Sequence, residues 1–131
     1  MVVKVIDGDT IDVARPGETA KERIRLIGVD TPETKDPRKP VQCFGKEASE
    51  FTSRLIGRTV WLEYDVERKD RYGRTLAHVF LDDGAFFNLI LAEEGYAQPL
   101  TIPPNVRYAD RFVEGARKAR EEGRGLWSSC G

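Results

Sequence analysis

Two acidic motifs near the start of the chain constrain its fold more than any other feature. The first reads Ile-Asp-Gly-Asp-Thr at residues 6–10, and the second reads Arg-Leu-Ile-Gly-Val-Asp-Thr-Pro-Glu at residues 25–33. A fold that brings them together gathers several carboxylates, which would repel one another unless a cation lies among them. Oxygen ligands suit Ca²⁺ or Mg²⁺ better than zinc, and the chain has only one histidine for a zinc site. A cation that also bridges to a phosphodiester would make the cluster catalytic, so the motifs indicate metal-dependent phosphodiester chemistry.

The composition indicates one globular domain. Of its 131 residues, 40% are hydrophobic and 33% are charged, which is typical of a soluble globular protein. This length suffices for one core of ordinary size, so residues 1–131 are expected to form a single domain. No apolar run of about 18 residues occurs, and we therefore expect no membrane-spanning segment. The chain starts with Met-Val-Val-Lys-Val-Ile, a strand-like pattern in place of a secretory leader, which leaves open that a leader has been removed.

The charge distribution gives two opposing indications. The net charge of −1 argues weakly against a nucleic-acid-binding surface, because such domains are commonly basic overall. Basic residues are nevertheless grouped in three places: Lys35, Arg38 and Lys39; Arg68, Lys69, Arg71 and Arg74; and residues 107–124. A solvated helix face explains the last group at least as well as a binding surface does.

Apolar periodicity predicts five strands and three helices. The predicted strands are residues 2–6, 10–13, 23–29, 59–64 and 75–81, and the predicted helices are residues 44–56, 87–94 and 108–122. Asp7-Gly8 lies between the first two strands and is typical of a hairpin turn. Alternation in the third strand places Arg25, Ile27 and Val29 on one side. This order favours an α+β, mainly β fold, a five-stranded Greek-key barrel of the OB type with three helices.

Large side chains at predicted strand and helix positions are assigned to the core. These are Trp61, Phe80, Phe86 and Phe112. The one histidine, His78, lies on a predicted strand, where a structural role is the expected one.

Four motifs in order resemble the staphylococcal nuclease family. They are IDGDT at residues 6–10, RLIGVDTPET at residues 25–34, DRYGRTLAH at residues 70–78 and GLW at residues 125–127. The similarity runs from about residue 3 to residue 127. The family's fold is an OB-type five-stranded barrel with three helices, so the resemblance and the periodicity imply the same fold.

The resemblance implies a Ca²⁺ site in the acidic motifs. Asp9 and Asp30 match the carboxylate ligands, the main-chain carbonyl of Thr31 matches a third ligand, and Asp7 would reach the ion through water. Glu33 matches the family's candidate general base, and whether it abstracts a proton or orders the attacking water stays open. Taken alone, Asp7 and Asp9 around Gly8 fit turn chemistry better than a metal site, and it is their occurrence with the other motifs that favours the site.

The resemblance also implies a phosphate site built from cations. Arg25 and Arg74 match the two arginines that hold the scissile phosphate, and an arginine suits this role because its planar guanidinium donates two hydrogen bonds to phosphate oxygens. Arg71 and Tyr72 match positions that contact the nucleotide phosphate. Negative charge grows on the phosphate oxygens during attack, so cations placed around them lower the barrier.

The activity implied is that of a Ca²⁺-dependent endonuclease. It would hydrolyse DNA and RNA with little sequence specificity, leave 3′-phosphate ends and act as a monomer. The alternative is a catalytically silent domain that binds single-stranded nucleic acid, although such members usually lose acidic and arginine positions that this chain keeps. A structural Ca²⁺ module leaves Arg25 and Arg74 unexplained. An EF-hand starting at Asp7 fails because its sixth position is Asp12, where the loop requires glycine.

The segment at residues 99–105 departs from the family pattern. It lacks two tyrosines that flank the nucleotide in the best-studied members, and Leu100 and Ile102 occupy those places. Stacking on an aromatic ring contributes about 1–3 kcal/mol per base. Substrate affinity and base preference are therefore open, while the metal and arginine chemistry is unaffected.

The two cysteines, Cys43 and Cys130, lie just before the first predicted helix and just after the last. A disulfide between them would fasten the C-terminal tail to the start of the first helix and would fit a secreted or extracytoplasmic enzyme. Two free thiols in a cytoplasmic enzyme are the alternative that the sequence leaves open.

Overall fold

The computed structural model describes residues 1–34 and 42–130. Its elements are β1 (Val2–Asp7), β2 (Thr10–Ala14), β3 (Lys21–Leu26), β4 (Gly28–Asp30), α1 (Gly45–Ser53), β5 (Val60–Glu63), β6 (Thr75–Leu81), α2 (Phe87–Glu93), β7 (Gln98–Leu100), α3 (Ala109–Glu122) and α4 (Leu126–Ser129). Three of the helices match the predicted ones. The sequence pattern predicts neither the short helix α4 nor the strand β7.

The main sheet has five strands in the order β1-β2-β3-β6-β5. β3 and β6 run parallel, whereas the other neighbours are antiparallel. The backbone N–H of Val2 donates to the carbonyl of Arg58 over 3.0 Å, so the edge strand β1 contacts the segment that leads into the opposite edge strand, β5. This mixed sheet with its helices confirms the predicted OB-like α+β class.

The predicted third strand is two strands, separated at Ile27, and the second strand begins at Gly28. This glycine has a φ of 84°, a backbone conformation that glycine adopts readily. A Cβ atom there would lie 2.1 Å from Cε2 of Phe112, so only glycine lets the chain pass so close to that ring. The chain changes direction, and Val29 and Asp30 pair instead with Pro99 and Gln98 of β7.

The core lies between the sheet and the helices. Phe112 is 1% exposed and Phe86 is also buried, as predicted, and His78 is buried as well. Phe80 is half-buried and stacks on Phe86 with 4.5 Å between ring centroids. The assignment of Trp61 to the core is wrong, since it is 55% exposed.

Strand alternation explains the position of Trp61. Val60 and Leu62, its neighbours on the edge strand β5, pack against the core, and the residue between them therefore faces outward.

The helices are fixed at their ends by specific backbone geometry. α1 begins after Phe44, which has a φ of 70° although it is not a glycine. α3 ends at Gly123, whose φ is 66°. Cys43 and Cys130 form a disulfide that ties the start of α1 to the end of α4, as predicted. In residues 1–34 and 42–130, no helix is long and apolar enough to cross a membrane.

Candidate active site

Gly8 brings the two acidic motifs into contact. It occupies the turn between β1 and β2, where a Cβ atom would lie 2.8 Å from the Cγ2 atom of Thr31 and 3.0 Å from the Cβ atom of Ala48. The hydroxyl of Thr52 on α1 donates to the carbonyl of Gly8 over 2.7 Å. The hairpin turn is therefore packed between the second motif and α1.

Asp9 forms the main link between the motifs. Its Oδ2 atom accepts a hydrogen bond from the backbone N–H of Thr31 over 2.9 Å, and its Oδ1 atom accepts one from the hydroxyl of Thr10 over 3.0 Å. Among the described residues, nothing bonds the hydroxyl of Thr31, which is buried beside this carboxylate. Asp9 is 6% exposed, so its orientation is closely determined by the fold.

Arg25 connects the carboxylates. Its Nη2 atom lies 3.3 Å from Oδ2 of Asp9 and 3.5 Å from Oδ1 of Asp30. Its Nη1 atom donates to the carbonyls of Leu26 and Val29 over 2.6 and 2.8 Å. Partial burial raises the pKa of Asp30, and the negative charge of Asp9 raises it further, while Arg25 lowers it. The guanidinium is therefore fixed where it offsets two negative charges.

Asp7 contacts the end of the second motif. Its Oδ1 atom accepts hydrogen bonds from the hydroxyl and the backbone N–H of Thr34. Burial raises the pKa of Asp7 to about 6, and the neighbouring Glu33 raises it as well, against the bonds from Thr34. The structure thus places Asp7 beside Glu33 and gives it a direct part in holding the motif.

Glu33 is held by a residue that the sequence did not single out, Gln42. The backbone N–H of Glu33 donates to Oε1 of Gln42 over 2.7 Å, and the carbonyl of Glu33 accepts from the backbone N–H of Gln42 over 2.9 Å. Gln42 directly precedes the disulfide-bonded Cys43. No sequence signal distinguishes this glutamine, because its role depends on a contact with Glu33, nine residues earlier in the chain.

Arg74 is oriented by Asp70. Oδ2 of Asp70 accepts from Nε of Arg74 over 2.7 Å, and Oδ1 accepts from the backbone N–H groups of Tyr72 and Arg74 over 2.9 and 3.0 Å. Burial would raise the pKa of Asp70, but these hydrogen bonds prevail and lower it. The spacing of Asp70 and Arg74 by four residues is the signal that could have identified Asp70 as a positioning residue.

Tyr72 lies against both arginines of the same turn. The guanidinium carbons of Arg71 and Arg74 lie 4.9 and 5.5 Å from the centroid of its ring. Arg71 also donates to the hydroxyl of Tyr72 over 2.8 Å. The turn therefore presents a compact cationic surface with an aromatic ring at its centre.

The central groove brings the predicted phosphate-binding residues together. It encloses about 480 Å³, and its lining includes Arg25, Arg71, Tyr72, Arg74, Leu100 and Ile102. The two aliphatic side chains Leu100 and Ile102, which stand where the family pattern has tyrosines, are 38% and 62% exposed.

The predicted metal ligands Asp9 and Asp30 lie beside Arg25, which lines the central groove. In the part of the chain that the structure describes, no three acidic, histidine or cysteine side chains are close enough to hold an ion on their own. The predicted set requires only two carboxylates, those of Asp9 and Asp30, with the main-chain carbonyl of Thr31 as the third donor.

The comparison with known proteins concerns the family of the chain. Residues 23–129 match the family model described as staphylococcal nuclease homologue. The chain is 48% identical over 129 residues to the thermonuclease of Staphylococcus hyicus, covering 98% of this chain and 75% of the relative. It is 48% identical over 128 residues to the thermonuclease of Staphylococcus intermedius, covering 97% and 74%. It is also 38% identical over 131 residues to endonuclease YncB of Bacillus subtilis (strain 168), covering 98% and 61%.

The matched spans include both acidic motifs and the turn that carries Arg74. Motif order, fold and similarity over nearly the whole chain therefore agree, and the chain belongs to the staphylococcal nuclease family.

Proposed function

We propose that this protein is a nuclease, and more narrowly a Ca²⁺-dependent endonuclease that cuts DNA and RNA with little sequence specificity and leaves 3′-phosphate ends. The relatives are a thermonuclease in two staphylococci and an endonuclease in Bacillus subtilis, which supports phosphodiester hydrolysis. The observation that carries the proposal is that Arg25 and Arg74, which come from distant parts of the chain, line one groove.

The donor set fits a hard divalent cation. Asp9 and Asp30 offer carboxylate oxygens and Thr31 offers a carbonyl, which are the ligands that Ca²⁺ favours. Partial burial and then the charge of Asp9 raise the pKa of Asp30, and a cation beside these two carboxylates would favour their ionised forms. When bound, Ca²⁺ would supply positive charge to the phosphate oxygens as charge builds on them.

The residues of the chain supply the remaining chemistry. The guanidinium groups of Arg25 and Arg74 would hold the scissile phosphate and stabilise the added negative charge during attack. Glu33 would order the attacking water or accept its proton. The water oxygen forms a bond to phosphorus while the bond to the 5′ oxygen breaks. The departing 5′ oxygen takes up a proton from solvent and becomes a hydroxyl, and the phosphate stays on the 3′ side.

Arg25 has a second function in this scheme. Because its guanidinium contacts both Asp9 and Asp30, it couples the position of the phosphate to that of the proposed metal ligands. Arg71 and Tyr72 would contact the nucleotide phosphate.

A cleavage assay tests the proposal. Labelled single-stranded DNA, duplex DNA and RNA are incubated with Ca²⁺, with Mg²⁺ or with EDTA. We expect cleavage with Ca²⁺, loss of cleavage in EDTA, and single strands cut at least as well as duplex, since an open OB-type face receives unpaired strands readily. Robust cleavage in EDTA would contradict the metal requirement. Nucleic acid bound but uncut with every divalent ion would support the silent-domain alternative.

We also propose that the protein acts outside the cytoplasm and as a monomer. The disulfide between Cys43 and Cys130 supports the first point, because disulfides persist in oxidising compartments. Fractionation of the native source and the molar mass in solution would test the two points separately.

A further inference from the structure

β3 carries a row of basic side chains. Lys21, Arg23 and Arg25 occupy alternate positions along it, while Ile24 and Leu26 are buried. Side chains alternate between the faces of a strand, so the three basic residues share the face opposite the core, with about 6.5–7 Å between successive positions. The row therefore begins at Arg25, a proposed ligand of the scissile phosphate, and leads away from the central groove.

Arg23 is held in a defined orientation. Its Nε atom donates to Oδ1 of Asp12 over 2.9 Å, and its Nη2 atom donates to Oδ2 over 3.1 Å. The Asp12 side chain is 8% exposed, whereas that of Arg23 is 47% exposed. A guanidinium has five N–H donors, and Asp12 occupies two of them. Arg23 thus keeps donors for a ligand while its position is fixed by a buried carboxylate.

A second hollow lies over this row, and we call it the β3 shelf. It encloses about 460 Å³ and is lined by Asp12, Lys21, Arg23, Tyr72, Gly73 and Arg74. Tyr72 and Arg74 also line the central groove, so the two hollows are adjacent. Asp12 pairs with Arg23 and Asp70 pairs with Arg74, and the exposed Lys21 adds a further positive charge.

We propose that the β3 shelf binds backbone phosphates of the same nucleic-acid strand that is cut in the central groove. The strand leaves the groove past Tyr72 and Arg74 and continues along β3, where Arg23 and Lys21 contact successive phosphates. The inference rests on the proposed function, and it extends the site from one nucleotide to a polynucleotide. It explains why cations stand on alternate positions of β3 beyond Arg25, since phosphates are the ligand that such a row fits.

Two variants alter the shelf without disturbing the groove. Lys21→Gln removes one exposed charge and leaves the pair of Arg23 and Asp12 intact. Arg23→Gln combined with Asp12→Asn removes that pair together, so no buried carboxylate is left without its partner. Lys118→Gln is the matched control, because it removes one exposed charge from α3, away from both hollows. Thermal unfolding of each variant shows whether it folds.

The measurement is binding of a labelled single strand of about eight nucleotides, a length within the span of one OB fold. Fluorescence anisotropy gives Kd at several salt concentrations with Ca²⁺ present, in a Glu33→Gln background that suppresses cutting. We expect all shelf changes together to raise Kd about tenfold and to lower the slope of log Kd against log salt by about 0.7 for each phosphate that the shelf no longer binds. The control should match the parent.

The outcomes separate the inference from the proposed function. If the shelf variants bind with the parent's Kd and salt slope while the wild type cleaves nucleic acid, the shelf proposal is wrong and the nuclease proposal stands. If the wild type cleaves nothing but the shelf variants still bind more weakly, the shelf stands and the activity is wrong. If the parent binds no single strand at all, the shelf proposal is overturned.

Discussion

The acidic and basic halves of the site are held in different ways. Asp7 and Asp9 are buried, and their hydrogen bonds reach Thr34 and Thr31, which lie 27 and 22 residues further along the chain. The turn at residues 70–74 is instead held by bonds that span two to four residues, all of them to Asp70. The acidic half is therefore a product of the whole fold, whereas the basic half is a local structure placed on its rim.

This difference predicts which changes alter stability and which alter only chemistry. A substitution that removes one of the long-range hydrogen bonds should lower the free energy of unfolding, because it affects the packing of β1, β4 and α1. A substitution in the exposed turn should lower turnover and leave the free energy of unfolding nearly unchanged. The following predictions test that division, from the largest expected effect to the smallest.

Reduction of the disulfide should lower stability most. Cys43 and Cys130 are separated by 87 residues, and the chain-entropy account gives about 4–5 kcal/mol for a loop of that size as an upper estimate. The melting temperature should fall on reduction, while activity at low temperature persists, because neither cysteine lies among the proposed catalytic residues. Thermal unfolding with and without reductant measures this.

A double variant, Cys43→Ser with Cys130→Ser, is the control for the reductant itself. It should melt at the temperature of the reduced protein and show no response to reductant. If reduced and oxidised wild type have the same melting temperature, the disulfide does not stabilise the fold. Alkylation of the denatured, unreduced protein should give no label in the oxidised form.

Asp30→Ala should lower turnover by about 10² to 10³ and weaken Ca²⁺ binding in parallel. The side chain of Asp30 is 58% exposed, so the melting temperature should change little. Calorimetric titration of Ca²⁺ and steady-state kinetics give the two quantities. Asp110→Ala, at an exposed position on α3, is the matched control and should retain the turnover and the Ca²⁺ affinity of the wild type. Loss of activity with unchanged Ca²⁺ affinity would remove Asp30 from the proposed ligand set.

Arg74→Ala should lower turnover by about 10² while leaving Ca²⁺ affinity and the melting temperature nearly unchanged. The reason is that Arg74 belongs to the local turn, where its partner Asp70 retains its other hydrogen bonds. Glu33→Gln should lower turnover in the same way. Near-normal turnover of Arg74→Ala would show that the third motif does not hold the scissile phosphate.

The same division explains how much could be predicted from the sequence. The basic turn is encoded locally, so the motif at residues 70–78 is enough to predict a phosphate-binding role for Arg74 and Tyr72, and that role stays a prediction. The acidic half depends on contacts between distant residues. Periodicity alone predicts a third strand that continues through Gly28. The reason for the break is the Phe112 ring that lies against this glycine, and no residue near Gly28 in the sequence indicates that contact.

Other differences have the same physical origin. Trp61 was assigned to the core from its size, but its exposure is set by its place on an edge strand. β7 is three residues long and contains Pro99, so it carries little strand signal of its own and exists because β4 pairs with it. The family resemblance predicts which residues would touch substrate, but it gives no role to Gln42 and Asp70, which contact Glu33 and Arg74.

Gln42→Met should lower turnover by about fivefold, since it removes one neutral hydrogen bond to the backbone of Glu33. Gln42→Glu keeps an oxygen acceptor at the same place and should retain more activity. In a Glu33→Gln background, Gln42→Met should have no further effect on turnover, because its influence passes through Glu33. An equal loss in both backgrounds would assign Gln42 a purely structural role.

The smallest expected effect concerns His78, which lies in the core away from both halves. Its Nε2 atom lies 3.1 Å from Oδ2 of Asp65, yet burial outweighs that carboxylate and lowers the pKa of His78 below its usual 6.5. As the pH falls below about 6.5, the unfolded chain takes up a proton that the folded chain does not, so stability declines until the lower folded pKa is passed. Asp7 has the opposite effect on stability: its pKa is raised to about 6, so the folded chain takes up a proton there before the unfolded chain does as the pH falls. The comparison is therefore made with His78→Gln, whose melting temperature should fall less than that of the wild type between about pH 7 and pH 5. Parallel pH profiles of the two proteins would show that His78 does not contribute to the acid sensitivity of the fold.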